Sequence, residues 1–463
     1  MAESRTFTGL LAATAVGVYL LVLAGATTTL TDAAAACTTW PLCDGPVALT
    51  NTALLVAWGH RLVAAVVGLL VVAMAAVGLQ SGCRGRVKAA ILLGAALYPV
   101  QIALGALVAT STDAALPGAH LAMGMGIFGS FVLALAWHLE AETGSDDETP
   151  VKNPTPAPEP TGDDTPDQTP TLTLRKRLVG TAFAYFRLMK PRLMWLLCLV
   201  AAAGMALAAG QTLTVRTVLL TLGGGVLSIG ASGTFNHVLE RDIDKRMDRT
   251  SDRPIATHQI PVRNALAFGL LLSLASLGLF WQVNALVALL GLTAIVFYSV
   301  IYTLVLKPNT VQNTVIGGAA GALPALIGWV AADGSIGLPG IVLAVVIFLW
   351  TPAHFYNLAL AYKDDYEAGG FPMMPVVRGE TETRKHIVYY LGATLIASGV
   401  LGVLTSLGWL YAVTSVLLGA VFLWAVVQLH HEQTEAAAFR AFHASNAYLG
   451  AVLIAIVVDA LAL

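Results

Sequence analysis

Asn236, Glu240 and Asp244 stand four residues apart at the end of an apolar run. On a helix that spacing turns each side chain only about 40° from the last, so all three share one face. Three oxygen-bearing side chains at a membrane edge suit a Mg²⁺–diphosphate site. Mg²⁺ takes a few carboxylate oxygens, keeps some waters and uses substrate phosphates for the rest. A solvated, charged helix end is the plainer alternative, and the surrounding residues argue against it. A second acidic pair, Asp364 and Asp365, followed by Tyr366, closes a later apolar run. Two such clusters facing each other would bridge a diphosphate through Mg²⁺, with Asn236, Glu240, Asp244 and Asp365 as ligands. Arg241, Arg249, Arg253 and Lys307 supply positive charge for a departing diphosphate.

The elements that must position these residues are membrane helices. The 463 residues are 57% hydrophobic and only 11% charged, with a mean hydropathy of +0.76. That composition excludes a soluble globular protein and implies an all-α polytopic membrane protein in the lipid bilayer. The net charge of −2 says nothing about nucleic acid; with no basic domain in the chain, no nucleic-acid partner is expected. The first apolar run, roughly 9–30, is too long for a cleaved signal and reads as a retained helix. Four apolar spans (8–30, 53–79, 88–110, 119–139) precede a polar stretch, and nine follow it (190–209, 216–238, 263–283, 285–306, 311–332, 337–361, 386–408, 411–429, 441–462). The expected architecture is a four-helix transmembrane bundle (1–140), a disordered acidic Pro/Thr-rich linker (141–178) and a nine-helix transmembrane domain (179–463), about 13 transmembrane helices in all. Nine apolar helices beside a diphosphate site would enclose a lipid tail, and the two together mean a prenyl diphosphate.

Alternate loops carry nearly all the Lys and Arg: Arg84, Arg86 and Lys88, then Arg175 to Arg177, Arg241 to Arg263, Lys307, and Lys363 to Lys385. By the positive-inside rule these loops, with the acidic motifs and the linker, are expected to be cytoplasmic in the cell membrane. The Cys37/Cys43 loop is then extracytoplasmic, where a disulfide between these neighbours can persist.

The second block resembles protoheme IX farnesyltransferases (heme O synthases), a branch of the UbiA-type intramembrane prenyltransferases. The resemblance rests on Lys190-Pro191-Arg192, Asn236 to Asp244 with MDRTSDRP at 247–254, Tyr302-Thr303 with Lys307, and NTVIGGAAGALP at 313–324. It continues through His354-Phe355, Asp365-Tyr366 and FPMMPVVRG at 371–379. It implies catalytic Asn236, Glu240, Asp244, Asp364 and Asp365. It also implies substrate contacts from Lys190, Arg192, Arg241, Arg249, Arg253, Lys307, His354 and Tyr366. Mg²⁺ would be the cofactor, and heme b and farnesyl diphosphate the substrates of heme O formation.

In the first block His60 and His120 lie at matched depth, where an ionisable side chain is costly and functional by default. Two such histidines can ligate one heme iron. GATTTLTDAAAACTTWPLCDG at 25–45, His60-Arg61, Gln101 and His120-Leu121 resemble the heme A synthase family. That family has eight helices in two halves, and this chain has one half. The resemblance implies a bound heme, oxidation of heme O to heme A, and a homodimer that restores the second half. Terminal-oxidase assembly factors are further expected partners. The rival readings are a heme transporter or chaperone, and a prenyltransferase for a quinone or another lipid head group. A transporter has no use for the Asn236/Glu240/Asp244 stripe.

Overall fold

A backbone in lipid must satisfy its own hydrogen bonds, and a helix of about 20 apolar residues does so while crossing the bilayer. The computed structural model describes residues 2–30, 33–43, 50–113, 115–144, 149–158, 174–405 and 407–462. Among these, thirteen helices are long and apolar enough to span a membrane, as the apolar runs predict, and there are no strands. The protein is a multi-pass, all-helical membrane protein.

In chain order the helices are α1 (Ala2–Leu30), α2 (Thr52–Gln80), α3 (Gly85–Thr110) and α4 (Leu116–Thr143). The shorter α5 (Leu174–Leu188) follows, then α6 (Pro191–Ala209), α7 (Val215–Leu239), α8 (Val262–Trp281) and α9 (Ala285–Val296). The last are α10 (Asn313–Asp333), α11 (Leu338–Ala361), α12 (Glu380–Leu404), α13 (Trp409–Glu432) and α14 (Glu435–Ala462). Helix α9 runs without a break into a π-helix, Phe297–Leu306. Caps set several starts. Asn51 accepts from Leu54 N at 3.0 Å, and Asn284 accepts from Val287 N at 2.8 Å.

Two compact units form, Met1–Asp147 with Arg384–Leu463, and Glu148–Thr383. The grouping differs from the division expected at 141–178, because α12 and α13 bond to α1 and α4. Tyr19 and Ser415 hydroxyls meet at 2.8 Å, Trp137 Nε1 donates to Tyr389 OH at 2.6 Å, and Lys385 donates to Glu140 at 2.8 Å. A Cβ on Gly392 would lie 2.5 Å from Val132.

In the second unit α6 and α10 touch backbone to backbone. A Cβ on Gly204 would stand 2.4 Å from Ala325 O, and one on Gly328 would stand 2.0 Å from Ala201 O. Lipid supplies no hydrophobic drive between helices, so such close approach of small residues is what binds them. Of the expected linker, residues 145–148 and 159–173 lie outside the described residues. Residues 149–158 run along the loop after α11: Val151 N donates to Val376 O at 2.9 Å, and Ala157 N donates to Ala368 O at 2.8 Å. Residues 174–178 open α5.

Candidate active site

Helix α7 stops at Leu239, and a short helix, Arg241–Asp244, follows it after Glu240. Glu240 sits at the junction, yet Glu240 N bonds Asn236 O and Asp244 N bonds Glu240 O, at 2.9 and 2.8 Å. These four-residue steps keep the stripe on one face across the break. Asn236, Glu240 and Asp244 are 1%, 4% and 0% exposed, so the stripe faces inward rather than solvent.

Each member meets a cation. Lys190, preceding α6, donates to Asn236 Oδ1. Lys307, at the end of the π-helix, donates to Glu240 Oε1 at 2.6 Å. Arg253 donates to both Asp244 oxygens at 2.8 and 2.9 Å and lies 3.9 Å from Glu240. Burial favours the neutral form of Glu240, but the Lys307 and Lys190 charges outweigh it and hold the carboxyl below its usual value. Burial raises the Asp244 carboxyl; the Arg253 charge opposes this and the Glu240 charge adds to it. Burial, aided by the Arg253 charge, pushes the Lys190 ammonium down to about 7. Three cationic side chains surround two carboxylates, an arrangement that invites an anion. Among the described residues no three His, Cys, Asp or Glu side chains stand together as a ready-made metal cage. Each carboxylate of the stripe is turned to a cation instead. The donor set of Asn236, Glu240 and Asp244 is nonetheless all oxygen, which is the chemistry a hard divalent ion takes.

The second acidic motif braces the first. Asp365 accepts the backbone N–H of Asp248 at 3.1 Å and of Arg249 at 3.2 Å, so both its oxygens hold the loop after Asp244. Arg249 bonds Tyr366 OH at 3.3 Å and lies over the Tyr362 ring. Asp364 is exposed. Arg241 is also exposed and pairs with its neighbour Asp242 at 3.3 Å, away from the cluster. Arg192 is exposed on the first turn of α6. His354, on α11, stacks on Trp350 with ring centroids 4.2 Å apart.

Sequence reasoning missed Tyr298 and assigned no role to Thr303 or to Phe371. Lys190 also reaches Tyr298 OH at 3.3 Å, Asn236 Nδ2 donates to Thr303 Oγ1 at 3.2 Å, and Lys307 lies 4.2 Å from the Phe371 ring centroid. The available signal was the spacing of Tyr298, Thr303 and Lys307, which fits no α-helical face. Lys190 and Tyr298 also line one part of an apolar cavity of about 80 Å³ whose other walls include Leu197, Ser232, Phe280 and Ile327.

In the first unit His60 on α2, Gln101 on α3 and His120 on α4 line a cavity of about 280 Å³. Gln101 Nε2 and His120 Nε2 are 3.2 Å apart. His60 Nδ1, His120 Nδ1 and Gln101 Oε1 are buried without a protein partner. Cys37 and Cys43 are joined in a disulfide. Arg61 donates to Thr39 O and Pro41 O inside the same loop, at 2.8 and 3.0 Å.

The sequence profile of the UbiA prenyltransferase family matches residues 196–449. The protoheme IX farnesyltransferase of Haloarcula marismortui is 94% identical over 463 residues, covering all of both chains. That of Mycobacterium avium is 44% identical over 287 residues, covering 61% of this chain and 92% of its own. A solved structure of digeranylgeranylglyceryl phosphate synthase, 16% identical, covers 61% of this chain and 100% of its own with a TM-score of 0.52. It shares the fold.

Proposed function

The chain belongs to the UbiA prenyltransferase family, and on that premise we propose that it transfers the farnesyl group of farnesyl diphosphate to heme b. The observation that carries this is the buried Asn236/Glu240/Asp244 stripe, with Lys190, Arg253 and Lys307 around it and an apolar cavity beside it. The farnesyltransferase name of a relative 94% identical over the full chain supports heme b as acceptor. The three cations bind the diphosphate and stabilise the charge that grows on it as the allylic C–O bond breaks. The apolar cavity beside the stripe takes the part of the farnesyl chain next to the diphosphate and keeps water from the carbocation. A vinyl group of heme b adds to the cation, and water then supplies the hydroxyl of heme O. Mg²⁺, when bound, would be held by Asn236, Glu240, Asp244 and Asp365, and supplies further neutralisation of the diphosphate. No nucleophilic side chain is needed.

The experiment is mass analysis of hemes from a host that makes only heme b, expressing wild type or Asp244→Ala. Heme O from wild type and none from the variant is the expected result. Heme b alone from wild type, with farnesyl diphosphate present, overturns the reading in favour of a transporter or another prenyl acceptor.

A second reading concerns the first unit. We infer that His60 and His120 ligate a heme; their unpartnered Nδ1 atoms in a cavity favour it. Heme A formed alongside heme O, with heme O accumulating in His60→Ala, would assign oxidation to this unit. A dimer mass for the purified protein would add the second copy as partner. The Lys/Arg bias puts the stripe and residues 141–178 on the cytoplasmic side and the disulfide outside, which thiol labelling of intact cells tests.

A further inference from the structure

We propose that Thr303 is a positioning residue: it fixes which end of the Asn236 side chain faces the metal–diphosphate. The proposal rests on the prenyl-transfer reading of the site. An amide side chain has two ends, an accepting oxygen and a donating nitrogen. Only the oxygen can ligate a hard cation. Turned over, Asn236 would present two N–H donors there instead. At 1% exposure it has no bulk water to hold either end in place.

Thr303 sorts the two ends. Its hydroxyl has one hydrogen, which it donates to Tyr298 O at 2.8 Å. With that hydrogen used, Oγ1 can only accept, and it accepts from Asn236 Nδ2 at 3.2 Å. Asn236 Oδ1 is thereby turned the other way, where it accepts from Lys190. A turned-over amide would set oxygen against the Thr303 lone pairs and N–H against the Lys190 ammonium. Both contacts repel.

The π-helix supplies the geometry. In the α-helical part of the same span, Thr293 donates to Leu289 O, four residues back. Thr303 donates five residues back, the π step. Tyr298 is held at both ends, since its carbonyl takes the Thr303 hydrogen and its hydroxyl takes Lys190 at 3.3 Å.

The test uses full-length purified protein, Mn²⁺ as a spectroscopic probe and farnesyl thiodiphosphate as a slow substrate analogue, with free Mn²⁺ read by electron paramagnetic resonance. Removing a partner that orients a ligand costs on the order of 10- to 100-fold in metal affinity, so Thr303→Val should weaken Mn²⁺ binding by at least about tenfold. Thr303→Ser, which keeps the hydroxyl, should restore it. In an Asn236→Asp background, where both ends are oxygen, Thr303→Val should cost nothing further. Wild-type Mn²⁺ affinity in Thr303→Val, failure of Thr303→Ser to rescue, or an undiminished effect in the Asn236→Asp background would each overturn the proposal. So would a wild type that binds no Mn²⁺ with the analogue. If wild type fails to farnesylate heme b while Mn²⁺ binding follows this pattern, the acceptor assignment falls and the role of Thr303 stands.

Discussion

Lys307 Nζ donates to Glu240 Oε1 at 2.6 Å, and the same ammonium lies 4.2 Å from the Phe371 ring centroid. One side chain thus ties the end of the π-helix to the acidic stripe and to the loop after α11. Both partners of the ion pair are largely buried, so the pair is costly to break from one side.

Lys307→Met is expected to lower heme O formation by roughly 100-fold, the usual cost of losing one preorganised charge at a site of developing charge. Glu240 would keep Arg253 at 3.9 Å and the Lys190 charge beyond it. Stability should fall by about 3–5 kcal/mol, as for breaking a buried pair. Heme mass analysis and thermal unfolding in detergent read the two effects. Wild-type turnover in the variant would remove Lys307 from the diphosphate site.

The close approach of α6 and α10 makes its own prediction. Gly328→Ala puts a methyl group 2.0 Å from Ala201 O, and that backbone oxygen cannot move aside alone. Overpacking of this kind costs about 1–3 kcal/mol or more, and the melting temperature should drop accordingly. Gly278→Ala, on α8 with no atom within 4 Å of the added Cβ, should melt at or slightly above wild type. Equal melting of the two variants would mean that the helices are not in backbone contact.

Val151→Pro removes the N–H that bonds Val376 O. Val151 also packs against the cluster of Met247, Tyr366 and Phe371. The loop that carries Asp365 and Phe371 should loosen, raising KM for farnesyl diphosphate several-fold, while Lys152→Ala at the exposed neighbour changes nothing. Unchanged KM in Val151→Pro would show that residues 149–158 are a tether without influence on the site.

On the proposed ligation of a heme by His60 and His120, His60→Ala and His120→Ala should each abolish the absorption signature of a bis-histidine heme while leaving heme O formation in the second unit intact. A bis-histidine signature that survives both substitutions would move the iron ligands elsewhere.

Much of this was legible in the residues. Lipid forces every buried stretch into helices of about 20 apolar residues, and a charge inside such a stretch is expensive. Thirteen spans and the inward stripe of Asn236, Glu240 and Asp244 follow from that. What faces the stripe does not. Lys190 lies 46 residues before Asn236, and Lys307 lies 67 after Glu240. Helices apolar all round carry no stripe that says which face meets protein and which meets lipid. Arg241 and Arg253 look alike as charges after the sixth span, yet one pairs outward with Asp242 and the other inward with Asp244. Arg253 sits in the turns that follow Asp244, where Thr250 N bonds Met247 O and Arg253 N bonds Thr250 O. The same limit hid the grouping of α12 to α14 with the first four helices, because Tyr19–Ser415 and Trp137–Tyr389 join residues hundreds of positions apart.

The sequence by itself determined that this is a membrane protein with thirteen apolar spans and an oxygen-bearing stripe of Asn236, Glu240 and Asp244, because bilayer length and helical period are local properties. Only the tertiary structure decided that Thr303 and Tyr298 hold the Asn236 amide, that Asp365 clasps the loop after Asp244, and that each acid of the stripe has its own cation. Those relations depend on a π turn and on helix rotations set by glycine contacts between distant segments, and no local pattern encodes them.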